Sequence, residues 1–296
     1  MKKAESNIKE LDLNGKVSVI TGGTSGIGLA IAKSFFMHNS IIVIIGRHEE
    51  IGFKAVKQIT TVDSAITGKK NSKQKDADES ISEKANEENP SIDRIRKVVF
   101  FKCDVGNHDE VRNTCEKILS NFGRADILVL NAGIEFPEAI NEVKPEIWQK
   151  MLDVNLSGAF YFVRYLSSSM IEQASGNVII LSSVAAKTGA GAGVHYAITK
   201  SALNGLMARI NYELLPKGIR SNIISPGMVD TPMLRRKYPD TDEINKKLVE
   251  EIPIARLAKP EDIAKLALFL ASDMSSYICG QNILIDGGRL FYKRPQ

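Results

Sequence analysis

A doubly wound α/β fold, with a mostly parallel seven-stranded sheet covered by helices on both faces, is what this 296-residue sequence predicts. Three observations carry that expectation. Short β-branched runs alternate with helical stretches along the chain, the rhythm of a doubly wound sheet. Most of those runs are continuously apolar, as strands buried on both faces are. The first run leads straight into a glycine-rich turn that opens an apolar helix.

Taken in order, "KVSVI" (16–20) is the first strand, and the turn after it, "TGGTSGIGLAIA" (21–32), leads into a helix over 27–37. The second strand is "IIVII" (41–45) and the third "VVFFKC" (98–103). Between them lies a stretch that breaks the rhythm, 61–97. It has almost no large apolar side chains, and its eight basic and eight acidic residues cancel. Such a composition buries too little apolar surface to offset the entropy of ordering, so a disordered surface insertion is expected there. A helix over 107–122 and the strand "DILVL" (126–130) follow. Helical stretches over 145–173 and 194–215 flank the strand "NVIILS" (177–182). The last elements are "IRSNII" (219–224), a helix over 260–271 and "QNILI" (281–285). Pro145 and Pro260 sit where a first-turn proline is tolerated. A single domain over 1–296 is expected.

Composition narrows the function classes. Hydrophobic residues are 43% and charged residues 25%, as in a soluble globular protein. Three cysteines, Cys103, Cys115 and Cys279, are too few for a disulfide framework, and their spacing suits no zinc site, so no metal is expected. A reducing compartment, the cytoplasm, is the expected home. No apolar run approaches ~18 residues, and the N-terminus lacks the apolar core of a signal peptide. A net charge of +4 without a basic stripe makes nucleic acid an unexpected partner.

Two short motifs point to chemistry. Glycines in a strand-to-helix turn let the backbone approach a pyrophosphate, and the helix N-terminus offers free N–H groups and a favourable dipole. Here the glycines are Gly22, Gly26 and Gly28, a spacing unlike G-x-G-x-x-G. Far downstream, "YAITK" places Tyr196 and Lys200 four residues apart, on one helical face. A cation so close lowers a phenol's pKa, which would let Tyr196 trade protons near neutrality.

T-G-x-x-x-G-x-G after the first strand, joined to a distant Y-x-x-x-K, resembles the short-chain dehydrogenase/reductase family. The resemblance runs from about residue 13 to 288, with only the 61–97 stretch foreign to it. It implies a Rossmann-type fold and a nicotinamide cofactor held by Gly22, Thr24, Ser25, Gly26, Ile27 and Gly28. "CDV" matches the motif in which Asp104 and Val105 flank the adenine. Asn131, Ala132 and Gly133 match N-A-G, although Leu130 replaces the asparagine that usually precedes it. Pro226, Gly227, Val229 and Thr231 match the loop over the nicotinamide, with Thr231 anchoring its carboxamide. "IDGG" (285–288) matches the last strand.

The same resemblance implies a catalytic set of Asn155, Ser183, Tyr196 and Lys200. The family's serine lies about a dozen residues before its tyrosine, which selects Ser183 and leaves Ser182 a structural strand-end residue. In reduction Tyr196 would donate a proton to a ketone oxygen that Ser183 orients. Lys200 would bind the nicotinamide ribose and, with the cofactor's own positive charge when oxidised, depress the tyrosine's pKa, and Asn155 would hold a relay water. His195 is expected to be a pocket or surface residue.

The second strand ends in Gly46 and Arg47 where an NAD-preferring site carries an acid. A guanidinium there suits a 2′-phosphate, so NADP(H) is the expected cofactor, with NAD(H) possible. Glu49 and Glu50 are first-turn helix acids. The expected function is interconversion of a small-molecule ketone and a secondary alcohol, of 3-oxoacyl type, by a homotetramer. A sugar, polyol or steroid alcohol dehydrogenase is the alternative within the family, and a non-catalytic NADP(H)-sensing regulator the alternative outside it. Residues 233–256 would form the substrate lid, with Arg235, Arg236 and Lys237 either steering an anion or forming a solvated face.

Overall fold

The computed structural model describes residues 11–67 and 97–291. Seven strands form one sheet: β1 (Val17–Thr21), β2 (Ile41–Gly46), β3 (Val98–Lys102), β4 (Ile127–Leu130), β5 (Gly176–Leu181), β6 (Ile219–Pro226) and β7 (Asn282–Ile285). Their order across the sheet is β3-β2-β1-β4-β5-β6-β7, and every pairing is parallel. All seven strands lie where the apolar runs predict them.

The described residues form ten α-helices, most of which cover the two faces of the sheet. They are α1 (Gly26–Met37), α2 (Glu49–Thr67), α3 (His108–Phe122), α4 (Pro145–Leu152), α5 (Gly158–Glu172), α6 (Ala185–Thr188), α7 (Val194–Leu214), α8 (Pro232–Lys237), α9 (Asp242–Val249) and α10 (Pro260–Ala271). Because strand side chains alternate, each strand feeds both layers. Val17, Val19, Val43, Ile45, Leu128 and Ile180 pack under α3, α5 and α7. Ile20, Ile42, Ile44, Val129 and Ile179 pack under α1, α2 and α10. The continuous apolar strands are thus explained, since neither face meets water.

Two boundaries differ from expectation. Helix α2 runs to Thr67, seven residues into the stretch expected to be disordered, because the amphipathic pattern that starts at Glu49 carries past residue 61. The rest of that expectation lies outside the described residues. The 145–173 stretch is not one regular helix. A π-turn over Asp153–Ser157 separates α4 from α5. At the start of α5 a Cβ on Gly158 would lie 2.4 Å from the Val105 carbonyl oxygen, so only glycine allows this approach.

Chain direction positions the site. From β1 the chain steps outward to β2 and β3, then returns to β4 on the other side of β1. The connections after β1 and β4 therefore diverge, leaving a crevice at the C-terminal ends of these two strands. The glycine turn follows β1, and Asn131 to Gly133 follow β4.

Candidate active site

The glycine turn is built to bring backbone close. Gly22 and Gly26 have φ of +63° and +52°, values other residues rarely adopt. A Cβ on Gly28 would fall 2.3 Å from the Gly22 carbonyl oxygen and 2.5 Å from Asn131 Nδ2. Asn131 braces this turn, since its Nδ2 donates to the carbonyls of Thr21 (2.9 Å) and Gly22 (3.1 Å). Thr21 Oγ1 in turn accepts from the N–H groups of Asn131 (2.9 Å) and Ala132 (3.0 Å). Leu130, in the place of an asparagine, is buried in the core.

Helix α1 begins with Ser25 as N-cap, but the serine side chain makes no capping bond. Its first N–H groups are thus left for an anion. Across the crevice a Cβ on Gly26 would sit 3.4 Å from Thr231 Cγ2. Thr231 itself caps α8, accepting from Leu234 N at 3.3 Å and donating to the Val229 carbonyl at 3.3 Å. Pro226 ends β6, Gly227 N donates to the Ile285 carbonyl, and Val229 is buried.

At the end of β2, Arg47 is exposed and, among the described residues, paired with no carboxylate, whereas Glu49 is taken by Lys102 at 3.3 Å. Thr24 lies against Gly46, where a Cβ would meet Thr24 Cγ2 at 2.7 Å. After β3, Asp104 Oδ1 accepts from Gly106 N (3.0 Å), and Val105 is buried. These residues fit a dinucleotide: an uncapped helix N-terminus, a cradle that only glycines leave open, and an unpaired cation at the second strand.

The side chains expected to carry proton transfer lie together at the same crevice. Tyr196 and Lys200 lie in the first two turns of α7, 9% and 4% exposed, with Lys200 Nζ 5.7 Å from the Tyr196 ring centre. Lys200 Nζ donates to the Leu181 carbonyl at 2.8 Å. A Cβ on Gly133 would crowd that ammonium at 3.3 Å. Ser183 sits past the end of β5 and hydrogen-bonds Tyr196, while its Oγ accepts from Ala185 N at 3.1 Å. Ser182 Oγ instead donates to the Lys200 carbonyl at 2.8 Å, the structural role expected of it.

Asn155, carried by the π-turn, joins the loop after β4 to α7. Its Oδ1 accepts from Ile134 N (2.8 Å), and its Nδ2 donates to the Ile134 carbonyl (2.9 Å) and Thr199 Oγ1 (3.2 Å). A small internal cavity, lined by Asn155, Lys200 and Thr21 among apolar residues, lies beside it.

The lowering expected of Lys200 is one that it exerts together with the positive charge of the oxidised cofactor, whereas Tyr196 itself is pushed up to about 12. Burial is the main cause and the carboxylate of Glu135 the second, with the Ser183 hydrogen bond opposing them. Lys200 is itself lowered to about 8 by burial. Desolvation is the largest cause for both groups, since removing them from water penalises each charged form.

Two residues with no sequence signal, Glu135 and Glu138, join the site, and His195 is a buried residue beside them. Glu135 is half-buried beside Tyr196 and raised by burial, against the pull of Lys237 and Arg236. His195 is 1% exposed, with Nε2 3.2 Å from Glu138 Oε2. Of the three lid cations, Arg235 is committed to Asp230 (2.6 Å), Asp240 (3.3 Å) and Asn245 (2.7 Å), so it ties α8 to α9. Arg236 and Lys237 remain exposed. Among the described residues no group could hold a metal, the three cysteines are free, and no helix is long and apolar enough to cross a membrane.

The chain is similar to known proteins along most of its length. Residues 16–96 match the family described as short chain dehydrogenase, and residues 72–289 match that described as Enoyl-(Acyl carrier protein) reductase. The chain is similar to the 3-oxoacyl-[acyl-carrier-protein] reductase FabG of Chlamydia muridarum, 32% identical over 92% of this chain and 96% of that protein. It is similar also to the 3alpha-hydroxysteroid dehydrogenase of Mediterraneibacter gnavus, 31% identical over 93% of this chain and 97% of that one. Among solved structures it resembles a 3-oxoacyl-[acyl-carrier protein] reductase with bound NAD from Brucella melitensis. That chain is 28% identical, with a TM-score of 0.76, covering 96% and 94% of the two chains. A provisionally assigned NAD(P)-dependent gluconate 5-dehydrogenase from Beutenbergia cavernae, with NADP at low occupancy, gives 28% and 0.79, covering 96% and 100%.

Proposed function

The chain belongs to the short-chain dehydrogenase/reductase family and interconverts a ketone and a secondary alcohol by hydride transfer, and we propose that it reduces a 3-oxoacyl-type ketone with NADPH at the Ser183–Tyr196–Lys200 site. The observation that carries this assignment is the convergence of those three side chains on one crevice with the glycine turn.

When bound, the reduced nicotinamide supplies the hydride. Tyr196 donates its proton to the carbonyl oxygen as negative charge develops there, and a phenol held un-ionised by burial is ready to do so. Ser183 directs its hydroxyl at the same oxygen and stabilises it. Lys200 carries a titratable proton behind the phenol, and the cavity between it and Asn155 is a place for a relay water. The burial of Tyr196 and Lys200 keeps bulk water from the transfer.

NADP(H) preference rests on Arg47, an unpaired cation where a 2′-phosphate would lie. The Glu135 carboxylate beside the phenol favours a second reading, a polyol ketone whose hydroxyl it accepts, and a relative and a neighbour named for steroid and gluconate substrates sharpen the competition. We propose further that the chain works in the cytoplasm as a homotetramer. Exposed apolar side chains on α5 and α7, Phe160, Ile198 and Tyr212, support self-association; light scattering would give a mass near one chain's if this is wrong.

The test is NADPH oxidation with three ketones: a 3-oxoacyl thioester, a keto-polyol and a 3-oxosteroid. Turnover highest with the thioester is expected. Preference for another ketone changes the substrate class, and NADPH binding without turnover of any ketone would support a sensor instead.

A further inference from the structure

The loop that leaves β4 is pinned to its neighbours at three successive points. At Ile134 the Asn155 side chain bonds both the N–H (2.8 Å) and the carbonyl (2.9 Å). At Phe136 the carbonyl accepts from Gly193 N at 3.2 Å, where α7 begins. At Glu138, Oε2 lies 3.2 Å from Nε2 of His195, the residue before Tyr196. Between these pins Ile134 and Phe136 pack against the cluster of Met151, Ala185 and Tyr196, so the loop walls the phenol.

The third pin is unlike the others. His195 is 1% exposed, and its ring stacks on Phe136 with centres 6.4 Å apart and planes at 25°. Neither ring nitrogen nor Glu138 Oε2 has a hydrogen-bond partner among the described residues, so their 3.2 Å approach is an electrostatic contact without hydrogen-bond alignment. Buried polar atoms left in this way destabilise a fold, and an apolar side chain at 195 would pack on Phe136 without them. Gly193 makes the approach possible. A Cβ there would fall 2.3 Å from His195 Cε1 and 2.5 Å from the Phe136 carbonyl oxygen, so a larger residue would force loop and helix apart. Its φ of −63° is open to any residue, which leaves close approach as the reason for glycine.

We propose that His195 and Glu138 are a pair of positioning residues for the ketone, holding the loop of Ile134 and Phe136 against Tyr196 and so fixing the width of the crevice where the carbonyl must sit. The proposal rests on the reaction assigned to Tyr196. Neither residue has to touch the substrate. The elements that fit the nucleotide, the glycine turn and the end of β2, lie elsewhere, so loss of the pair is felt by the ketone and not by NADPH.

Steady-state kinetics and amide hydrogen exchange of the full chain test this. Glu138→Gln keeps the size of the side chain and removes its charge. It is expected to raise KM for the best ketone of the panel about tenfold, with kcat changed less and NADPH affinity at the parental value. His195→Leu keeps an apolar partner for Phe136 and should do the same. The two together should do no more than either alone, since both remove one contact. His195→Gln retains an N–H donor toward Glu138 and should restore most of the parental KM. Amides of residues 134–138 should exchange faster in Glu138→Gln, and those of the sheet at the parental rate. Effects that add in the double variant overturn the proposal, as do loop amides that keep the parental rate or a loss of NADPH affinity as large as the rise in KM. If His195→Leu does not fold, Glu138→Gln decides alone through exchange and the split between KM and kcat, its side chain being 32% exposed. A parent that turns over none of the ketones would sink the oxidoreductase assignment alone, because exchange needs no substrate.

Discussion

Replacing Lys200 with methionine should stabilise the folded chain at neutral pH, and the gain should vanish in alkali. Lys200 is 4% exposed, and its ammonium donates to one carbonyl, that of Leu181, with no carboxylate paired to it among the described residues. Burial moves it from its ordinary 10.5 to about 8. Below pH 8 both the folded and the unfolded chain hold this proton, and the folded state bears the full cost of a buried charge. Between 8 and 10.5 the unfolded chain still holds a proton that the folded chain has shed, so parental stability rises with pH across that window. At ~1.4 kcal/mol per pH unit the rise amounts to about 3 kcal/mol.

Methionine fills a similar volume and does not titrate. Its loss of the Leu181 hydrogen bond costs about 1 kcal/mol at every pH. Tyr196, raised to about 12, lowers stability from pH 10 upward, because the unfolded phenol ionises first, but it does so in both proteins. Urea unfolding of parent and Lys200→Met, at steps of pH from 7 to 10.5 and without nucleotide, reads the difference. The difference should move by about 3 kcal/mol in the parent's favour as pH rises, from about 2 kcal/mol in favour of methionine to about 1 kcal/mol against it. Parallel curves would mean that burial does not depress this lysine, and a widening gap that its folded pKa is raised.

Three further outcomes follow from the site. Gly28→Ala drives a Cβ into the Gly22 carbonyl and Asn131, so it should cost about 1–3 kcal/mol in unfolding and weaken NADPH binding at least about tenfold; unchanged binding by fluorescence titration would count against the turn as the phosphate cradle. Arg47→Asp should lower kcat/KM with NADPH by roughly ten- to a hundredfold while sparing NADH, and equal efficiency of the parent with both cofactors would remove Arg47 as selector. Tyr196→Phe should lower kcat by about 10²–10⁴-fold with NADPH affinity retained; near-parental turnover would end its assignment as the acid.

The strands were legible because a parallel sheet buried on both faces leaves runs such as "IIVII" that no other element explains. The structural role of Ser182 was equally legible, since its Oγ bonds the Lys200 carbonyl as a strand-end residue would. The π-turn at Asp153–Ser157 was not, since no residue type marks it and tertiary packing around Asn155 sustains it. Glu138 and His195 meet only when the loop after β4 folds onto α7, a contact between segments far apart in sequence. Spacing correctly put Tyr196 and Lys200 on one face, but their protonation depends on burial depth, which i,i+4 geometry does not encode.

The position of β1 has a consequence for how the chain comes into being. It is made first yet lies inside the sheet, and its partner β4 arrives late: the bond from Val17 N to Asp126 Oδ2 spans 109 residues. At roughly 5–20 residues per second, a ribosome leaves one edge of β1 open for on the order of 5–20 seconds. An apolar edge of that kind is where a nascent chain aggregates. The crevice exists only once β4 has docked, so nucleotide cannot rescue any earlier intermediate. For this chain, sealing the sheet and acquiring the binding site are one event, and a chaperone that shields β1 until then would protect both.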